Sequence, residues 1–376
     1  MAMPCCSYEL SATSGRARAG TLTLPHGSVP TPAFMPVGTR GAVRALTPGQ
    51  IRSTGAHMVL SNTYHLWERP GHERIGRLGG LHRFMNWHGP ILTDSGGYQV
   101  FSLRKHVTIS EEGAKFTSQI DGTKRFLTPE KAVEIQETLG VDVSMVLDEC
   151  IEWPATRERV VQSTARTTRW LHRALAARRA PERTALFGIV QGGVYDDLRA
   201  AHAQELTELD LDGYAIGGLS VGEGHGDLVA MASLSAAHLP DHKVRYLMGV
   251  GYPKDIVAAV RSGVDLFDCV IPTRSARHAQ VFTSRGKLNL KNASHRDSDA
   301  PLDPRCACDT CQHYSAAYLH HLVKVKEGLA DTLLTLHNLT YYQHLMARLR
   351  AAIVADDSAA LDALAAEAEV AGTRAT

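Results

Sequence analysis

The sequence predicts an α/β protein built as a closed (β/α)8 TIM barrel. Eight short, apolar, β-rich runs alternate with segments of helical periodicity from residue 20 onward. Polar residues gather at the carboxyl ends of those runs. In a parallel barrel all strand ends converge on one face, so this pattern makes one shared pocket. A doubly wound open sheet, the next architecture compatible with the alternation, would string the same ends along a line. At 376 residues the chain has ample length for a barrel with an appendage.

The strand candidates, in order, are Ala33–Thr39, His57–Thr63, Pro90–Gly97, Val141–Cys150, Ala185–Gly193, Leu211–Val221, Val244–Gly251 and Val264–Thr273. Helical spacing is clearest over Ala155–Arg179, Asp196–Leu209, Leu228–Ala237 and Pro253–Ser262. Two regions break the alternation. Phe101–Leu127 contains Val107-Thr-Ile-Ser, Ala114-Lys-Phe-Thr and the turn signal Asp121-Gly122, so it reads as an inserted β-hairpin region. Val281-Phe-Thr through Lys287-Leu-Asn-Leu290 reads as a small antiparallel addition leading into a cysteine cluster. From Ala351 onward the chain is Ala-rich and predicts a helix with a frayed end. The expected division is residues 1–280 as the barrel, with N-terminal β elements, and 281–376 as a metal-binding subdomain with C-terminal helices packed on it.

Hydrophobic residues make up 44% of the chain and the net charge is +1. A polyanionic partner would therefore be held by a local patch and not by global attraction. Such a patch follows strand eight: Arg274, Arg277, Arg285, Lys287, Lys291 and Arg296 occur with no acidic residue from Arg274 to Arg296, and Lys254 can add to it. A solvated face is the bland alternative for a charge run, but its place beside Asp268 favours phosphate contact. No run of ~18 apolar residues is present to span a bilayer, and the first residues lack the apolar core of a signal peptide. The expectation is a cytoplasmic protein without a membrane partner.

Of seven cysteines, Cys5, Cys6, Cys150 and Cys269 are scattered, while Cys306, Cys308 and Cys311 form a C-x-C-x2-C cluster. Thiolates this close in a reducing compartment make a corner of a tetrahedral zinc site. One imidazole closes it, and spacing leaves His313, His320, His321, His337 and His344 as candidates.

Three carboxylates stand at strand ends: Asp94 in Thr93-Asp94-Ser95-Gly96-Gly97, Asp148 in Leu147-Asp148-Glu149-Cys150, and Asp268, isolated within an apolar run. A lone strand-end Asp is more often a loop or helix cap. Three on one converging face suit acid/base and nucleophilic work at a glycosidic carbon, although the pattern alone does not say which is the nucleophile. The pairs Gly96-Gly97, Gly192-Gly193 and Gly217-Gly218 permit close backbone approach to a flat ligand, or simply turn the chain. Tyr98 and Met248 can face a base from either side; core packing is the competing reading for Met248. No P-loop or dinucleotide fingerprint occurs.

Thr93-Asp94-Ser95-Gly96-Gly97-Tyr98-Gln99-Val100-Phe101, Val190-Gln191-Gly192-Gly193, Ile216-Gly217-Gly218-Leu219-Ser220-Val221-Gly222-Glu223, Phe267-Asp268-Cys269-Val270-Ile271-Pro272-Thr273-Arg274 and the cysteine–histidine set closely resemble the bacterial queuine tRNA-ribosyltransferases, or tRNA-guanine transglycosylases. The resemblance runs from about Phe34 to the C-terminal helices. It implies a barrel with a zinc subdomain that exchanges the wobble guanine of GUN anticodons for a 7-deazaguanine. By motif, Asp268 would be the nucleophile on the ribose and Asp94 the general acid/base. Ser95, Gly96, Gly97, Tyr98, Asp148, Gln191, Gly218, Leu219 and Met248 would bind the base. Gly249, Val250, Gly251, Tyr252, Pro253, Lys254 and Asp255, with Thr273, Arg274, Ser275, Ala276 and Arg277, would contact the tRNA anticodon stem-loop. One structural zinc per chain would sit on Cys306, Cys308, Cys311 and His337, and the resemblance implies a homodimer.

Val221 and Cys150 match the bacterial pattern, whose pockets take the prequeuosine base, 7-aminomethyl-7-deazaguanine. The chain departs from the family pattern at Ser275-Ala-Arg-His278-Ala279, where Asn-Ala-Arg-Asn-Gly is usual, and at Trp67. Competing readings are a member preferring queuine, a non-catalytic tRNA-binding accessory subunit, and a barrel glycoside hydrolase. The accessory subunit has no need of both Asp94 and Asp268, and the hydrolase leaves the basic patch and the cysteines without a purpose.

Overall fold

The computed structural model describes residues 5–102 and 107–372. Each of the eight strand candidates contains a short parallel strand: β1 Ala33–Pro36, β2 Val59–Ser61, β3 Ile91–Thr93, β4 Val143–Met145, β5 Ala185–Val190, β6 Gly213–Ile216, β7 Arg245–Leu247 and β8 Leu266–Cys269. They pair in the order β1-β8-β7-β6-β5-β4-β3-β2. A bridge between Val37 and Leu60, beside the 2.6 Å bond from Gly38 N–H to Leu60 O, joins the two ends and closes the barrel. Apolar runs of this kind suit strands covered on both faces. Phe34, Met35, Leu92, Met145, Phe187, Ile216, Leu247 and Phe267 are accordingly buried.

Two segments, the end of strand eight and the C-terminal helix, differ from expectation. Strand eight ends at Cys269 and the chain turns into the helix Ile271–Arg277, because Pro272 has no N–H for a sheet ladder but fits the first turn of a helix. The expected β-hairpin insertion is a three-stranded antiparallel sheet, Val107–Ile109, Ala114–Thr117 and Lys124–Leu127; residues 103–106 of that segment lie outside those described. The C-terminal segment is two helices, Gly328–Val354 and Ser358–Gly372, so the expected Ala-rich helix is split near Asp356, whose φ of 50° is left-handed. The expected frayed end, residues 373–376, lies outside those described.

An N-terminal antiparallel sheet, Ser7–Ser14, Ala17–Leu24 and Gly27–Thr31, covers the barrel end opposite the polar strand ends. Its side chains reach residues that immediately precede barrel strands. Tyr8 donates to Asp265 at 3.0 Å, Arg18 donates to Lys243 O at 3.0 Å, and His26 Nδ1 lies 2.9 Å from Asp142. Asp142, fully buried, also meets His82 Nε2 at 2.9 Å and Ile91 N–H at 2.8 Å, so its oxygens are occupied by donors. That end is built for stability, and the other is left for a ligand.

A second hydrophobic cluster, including Val281, Leu290, Leu302, Leu319 and Leu334, lies around the three cysteines. The helix Gly328–Val354 joins it to the barrel. Asn338 Nδ2 donates to Pro272 O and Gln280 O, Tyr342 donates to Gly251 O at 2.5 Å, and Gln343 donates to Phe34 O at 2.9 Å. No helix among the described residues is long and apolar enough to cross a membrane.

Candidate active site and metal centre

A cavity of about 370 Å³ opens at the carboxyl ends of the barrel strands. Asp94, Ser95, Tyr98, Asp148, Gly218, Leu219, Met248 and Asp268 line it, as do Asn62, Gln99, Cys150, Val221 and Tyr246. Gly96 and Gly97 are not in its wall. They let the β3 end pack closely, against Tyr64 and against the Asp148 carbonyl respectively. Gln191 also stands behind the wall, 2% exposed, with its Nε2 donating to Asp148 Oδ2 at 2.7 Å.

Asp268, one residue before the end of β8, has both of its hydrogen bonds on one oxygen. Tyr246 Oη donates to Oδ1 at 2.6 Å and Gly249 N–H at 2.8 Å. Among the described residues Oδ2 has no partner, so it is left for the cavity. Burial raises the carboxyl above the ordinary range, against the lowering effect of those two bonds.

Asp94 is held differently. Asn62 Nδ2 and Gln99 Nε2 both donate to Oδ2, the latter at 2.8 Å, and Thr63 N–H donates to Oδ1 at 2.9 Å. Burial pushes its pKa up to about 6 in spite of these donors, with a smaller push from the Asp268 charge. Asp148 rises to about 7, mainly through burial and partly through its neighbour Asp94. Asp94 and Asp148, with pKa values near neutrality beside Asp268 in one cavity, can hold, accept and return protons there.

The elevation also has a stability consequence. Asp148 binds its proton more tightly in the folded than in the unfolded chain. Its stabilising contribution is therefore full below about pH 4 and is lost as pH rises through about 7. Asp148→Asn is expected to melt a few degrees above the unsubstituted protein at pH 8, with the advantage disappearing at pH 4. Melting curves at the two pH values check this; an equal shift at both would assign the effect to packing.

Asn62, Gln99 and Tyr246 were not singled out from the sequence. The Asn62-Thr63 pair at the end of β2 offered the same strand-end signal as Asp94, whereas Tyr246, inside β7, looked like core. Glu223 is a further addition: it accepts from Ser220 N–H and, at 2.9 Å, from Val221 N–H, fixing the loop after β6.

Beside the cavity, Gly249, Tyr252 and Arg274 are exposed and Lys254 and Arg277 half-buried. Val250, Gly251, Pro253, Asp255, Thr273, Ser275 and Ala276 are buried, and Asp255 is paired with His225, so these seven shape the surface from beneath. Burial, with Arg44 and Arg274 nearby, lowers the Arg277 pKa. This clustering of like charges, including Arg44 from a distant loop, is what an anionic ligand would relieve.

Cys306, Cys308, Cys311 and His337 are all buried and their ligating atoms lie within 4.8 Å of one another. His337 Nδ1 is 3.6 Å from Cys308 Sγ and 3.3 Å from Cys311 Sγ. Tetrahedral zinc, with Zn–S of about 2.3 Å and Zn–N of about 2.05 Å, sets an S···N separation of about 3.6 Å. His337 Nε2 meets Phe282 O at 2.8 Å, which makes Nε2 the protonated nitrogen and turns Nδ1 to the sulfurs. The four residues fit a structural zinc ion. Of the other candidate histidines, His320 faces Leu290 O and His313 is exposed.

The family model for queuine tRNA-ribosyltransferase matches residues 12–368. The chain belongs to that family. It is 54% identical over 349 residues to the queuine tRNA-ribosyltransferase of Cereibacter sphaeroides, covering 93% of each chain. Identity to the protein of the same name from Aromatoleum aromaticum is 53%, covering 93% of this chain and 95% of the relative. For that of Rickettsia bellii it is 52%, covering 92% and 95%. The match spans the barrel, the insertion and the cysteine cluster together, so the queuine tRNA-ribosyltransferase family accounts for the whole architecture.

Proposed function

We propose that this protein is a tRNA-guanine transglycosylase that exchanges the wobble guanine of GUN-anticodon tRNAs for 7-aminomethyl-7-deazaguanine. Family membership supports the reaction class. The observation that carries the mechanism is the pairing of Asp268, with one uncommitted oxygen, and Asp94, near pH 6, around one cavity.

Asp268 Oδ2 attacks C1′ of the ribose as the C1′–N9 bond breaks, and the departing guanine takes its N9 proton from Asp94. A covalent ribosyl ester of Asp268 results. The incoming base then gives its N9 proton to Asp94, attacks C1′ and expels Asp268, which restores the carboxylate and retains configuration. Two displacements at similar energies need no external energy source. Because the base lies in an anticodon loop, it can be splayed into the cavity without opening a duplex. Asp148, held from behind by Gln191, and the backbone at Gly218 and Leu219 read its edge, and Tyr98 and Met248 lie on its faces. Cys150 and Val221 bound the space for the 7-substituent, favouring the small aminomethyl base over queuine. The zinc is structural and takes no part in the steps. The enzyme acts in the cytoplasm as a homodimer.

Incubating the protein with unmodified tRNA and labelled guanine tests the proposal. Label should enter tRNAs with GUN anticodons and no others, and a protein that exchanges no base would overturn it. The phosphate contacts are expected to come from Arg44, Lys254, Arg274 and Arg277. Arg274→Gln should weaken tRNA binding and flatten the slope of log K against log salt by about 0.7–0.9. Fluorescence titrations at several salt concentrations measure this, and an unchanged slope would remove Arg274 from the interface.

A further inference from the structure

Directly behind the cavity wall lies a cation that the proposed chemistry does not use. Arg199, in the helix Asp196–Thr207, is fully buried. Its guanidinium makes no hydrogen bond to a carboxylate among the described residues and donates mainly to carbonyls. Nε and Nη2 reach Gly193 O at 3.0 and 2.8 Å, and Nη1 and Nη2 both reach Gly217 O at 3.2 Å. Nη1 also lies 3.4 Å from Ser235 Oγ. Burial lowers its pKa to about 10, which leaves it charged at neutral pH. A buried cation satisfied by carbonyls and one hydroxyl, with no carboxylate of the described residues bonded to it, is costly to keep for stability, so its position relative to the ligand matters.

The two carbonyls belong to the loops after β5 and β6, which carry Gln191 and Gly218. Gly217 O and Gly218 N–H are the two ends of one peptide unit, and because that unit is trans they point in opposite directions. Arg199 holds the oxygen from behind. The N–H is thereby turned away from the helix, and among the described residues it has no hydrogen-bond partner. Gly217 and Gly218 both line the cavity. A cation on the carbonyl also polarises the amide and strengthens its N–H as a donor.

His202, one turn further along the same helix, completes the support. Its Nδ1 accepts from Gln191 N–H at 2.8 Å and its Nε2 is 3.1 Å from Thr168 Oγ1. Burial, with Arg199 close by, lowers its pKa to about 4, so it is the neutral form that accepts.

We propose that Arg199 is a positioning residue for base selection: it orients and polarises the Gly217–Gly218 peptide so that Gly218 N–H recognises an oxo oxygen on the ligand's six-membered ring. The proposal rests on the transglycosylase reading and adds the element that makes the pocket prefer an oxo-purine to one lacking that oxygen.

The test compares the unsubstituted protein with Arg199→Gln and Arg199→Lys in guanine exchange, using 2-aminopurine, which lacks the 6-oxo oxygen, as a competitor. Arg199→Gln should raise KM for guanine about 10- to 100-fold, the range for losing a charge-assisted hydrogen bond. The inhibition constant of 2-aminopurine should stay within about twofold, since it does not use the polarised N–H. Arg199→Lys keeps the charge but not the fork to both carbonyls, so it should fall between. Equal weakening of both bases, an unchanged guanine KM, or unfolding of both variants would reduce Arg199 to a structural group and overturn the proposal. Failure of the unsubstituted protein to exchange guanine would instead sink the reading on which it rests, so the two failures are separable.

Discussion

Asp268→Asn is expected to lower guanine exchange by about 10⁴-fold or more, the scale seen when a covalent nucleophile is removed. The substitution preserves shape and leaves an oxygen to accept from Tyr246 and Gly249 N–H, as Asp268 Oδ1 does at 2.6 and 2.8 Å. What it removes is the negative charge on the second oxygen, and a neutral amide cannot form the ribosyl ester. Denaturing gels should therefore show a protein–RNA adduct with the unsubstituted protein and none with the variant. The loss cannot be ascribed to unfolding if stability is measured beside it. Asp268 has a raised pKa in the folded state, so its charge opposes folding once pH exceeds that pKa. The variant should then melt no lower than its parent at pH 8. Undiminished exchange by Asp268→Asn would exclude Asp268 as the nucleophile.

Cys308→Ser is expected to lose stoichiometric zinc and about 4 kcal/mol or more of stability, the range of large single-site losses that follow removal of a structural metal. The reason is convergence. The cysteine loop, the helix that carries His337 and the strand Gln280–Thr283 that supplies Phe282 O converge on these ligands. The damage should extend beyond them. Asn338, one residue after His337, donates to Pro272 O and Gln280 O, and Tyr342 donates to Gly251 O. The helix that carries His337 thus also holds the two segments that flank the cavity. Loss of metal, measured by elemental analysis, should be accompanied by weaker tRNA binding. Full retention of metal and melting temperature would show that the cluster is not a ligand set.

The barrel was legible because its determinants are local. Apolar runs such as Ala185–Val190 and the helical spacing of Arg157–Ala177 repeat along the chain, and the polar residues at Thr93–Gly97 and Leu147–Cys150 mark which strand ends face a ligand. Element ends were less legible, since Pro272 turned the end of an expected strand into a helix and the expected C-terminal helix is split near Asp356. Asp94, Asp148 and Asp268 stood out because charge in an apolar run is costly unless used. Tyr246 did not, because an aromatic residue in a strand has the same pattern whether its hydroxyl serves the core or a carboxylate.

By itself the sequence determined the barrel, the three carboxyls at one end and the three-cysteine corner, all set by residues close together along the chain. Only the tertiary structure decided which oxygen of Asp268 remains uncommitted, and that Arg199 stands behind Gly217. It also shows the physical reason for His337 over the other candidate histidines: the Phe282 carbonyl turns its Nδ1 to the sulfurs. Those outcomes depend on hydrogen bonds between residues far apart in sequence, where direction and distance, which no linear pattern encodes, select one partner from several of the same chemical type.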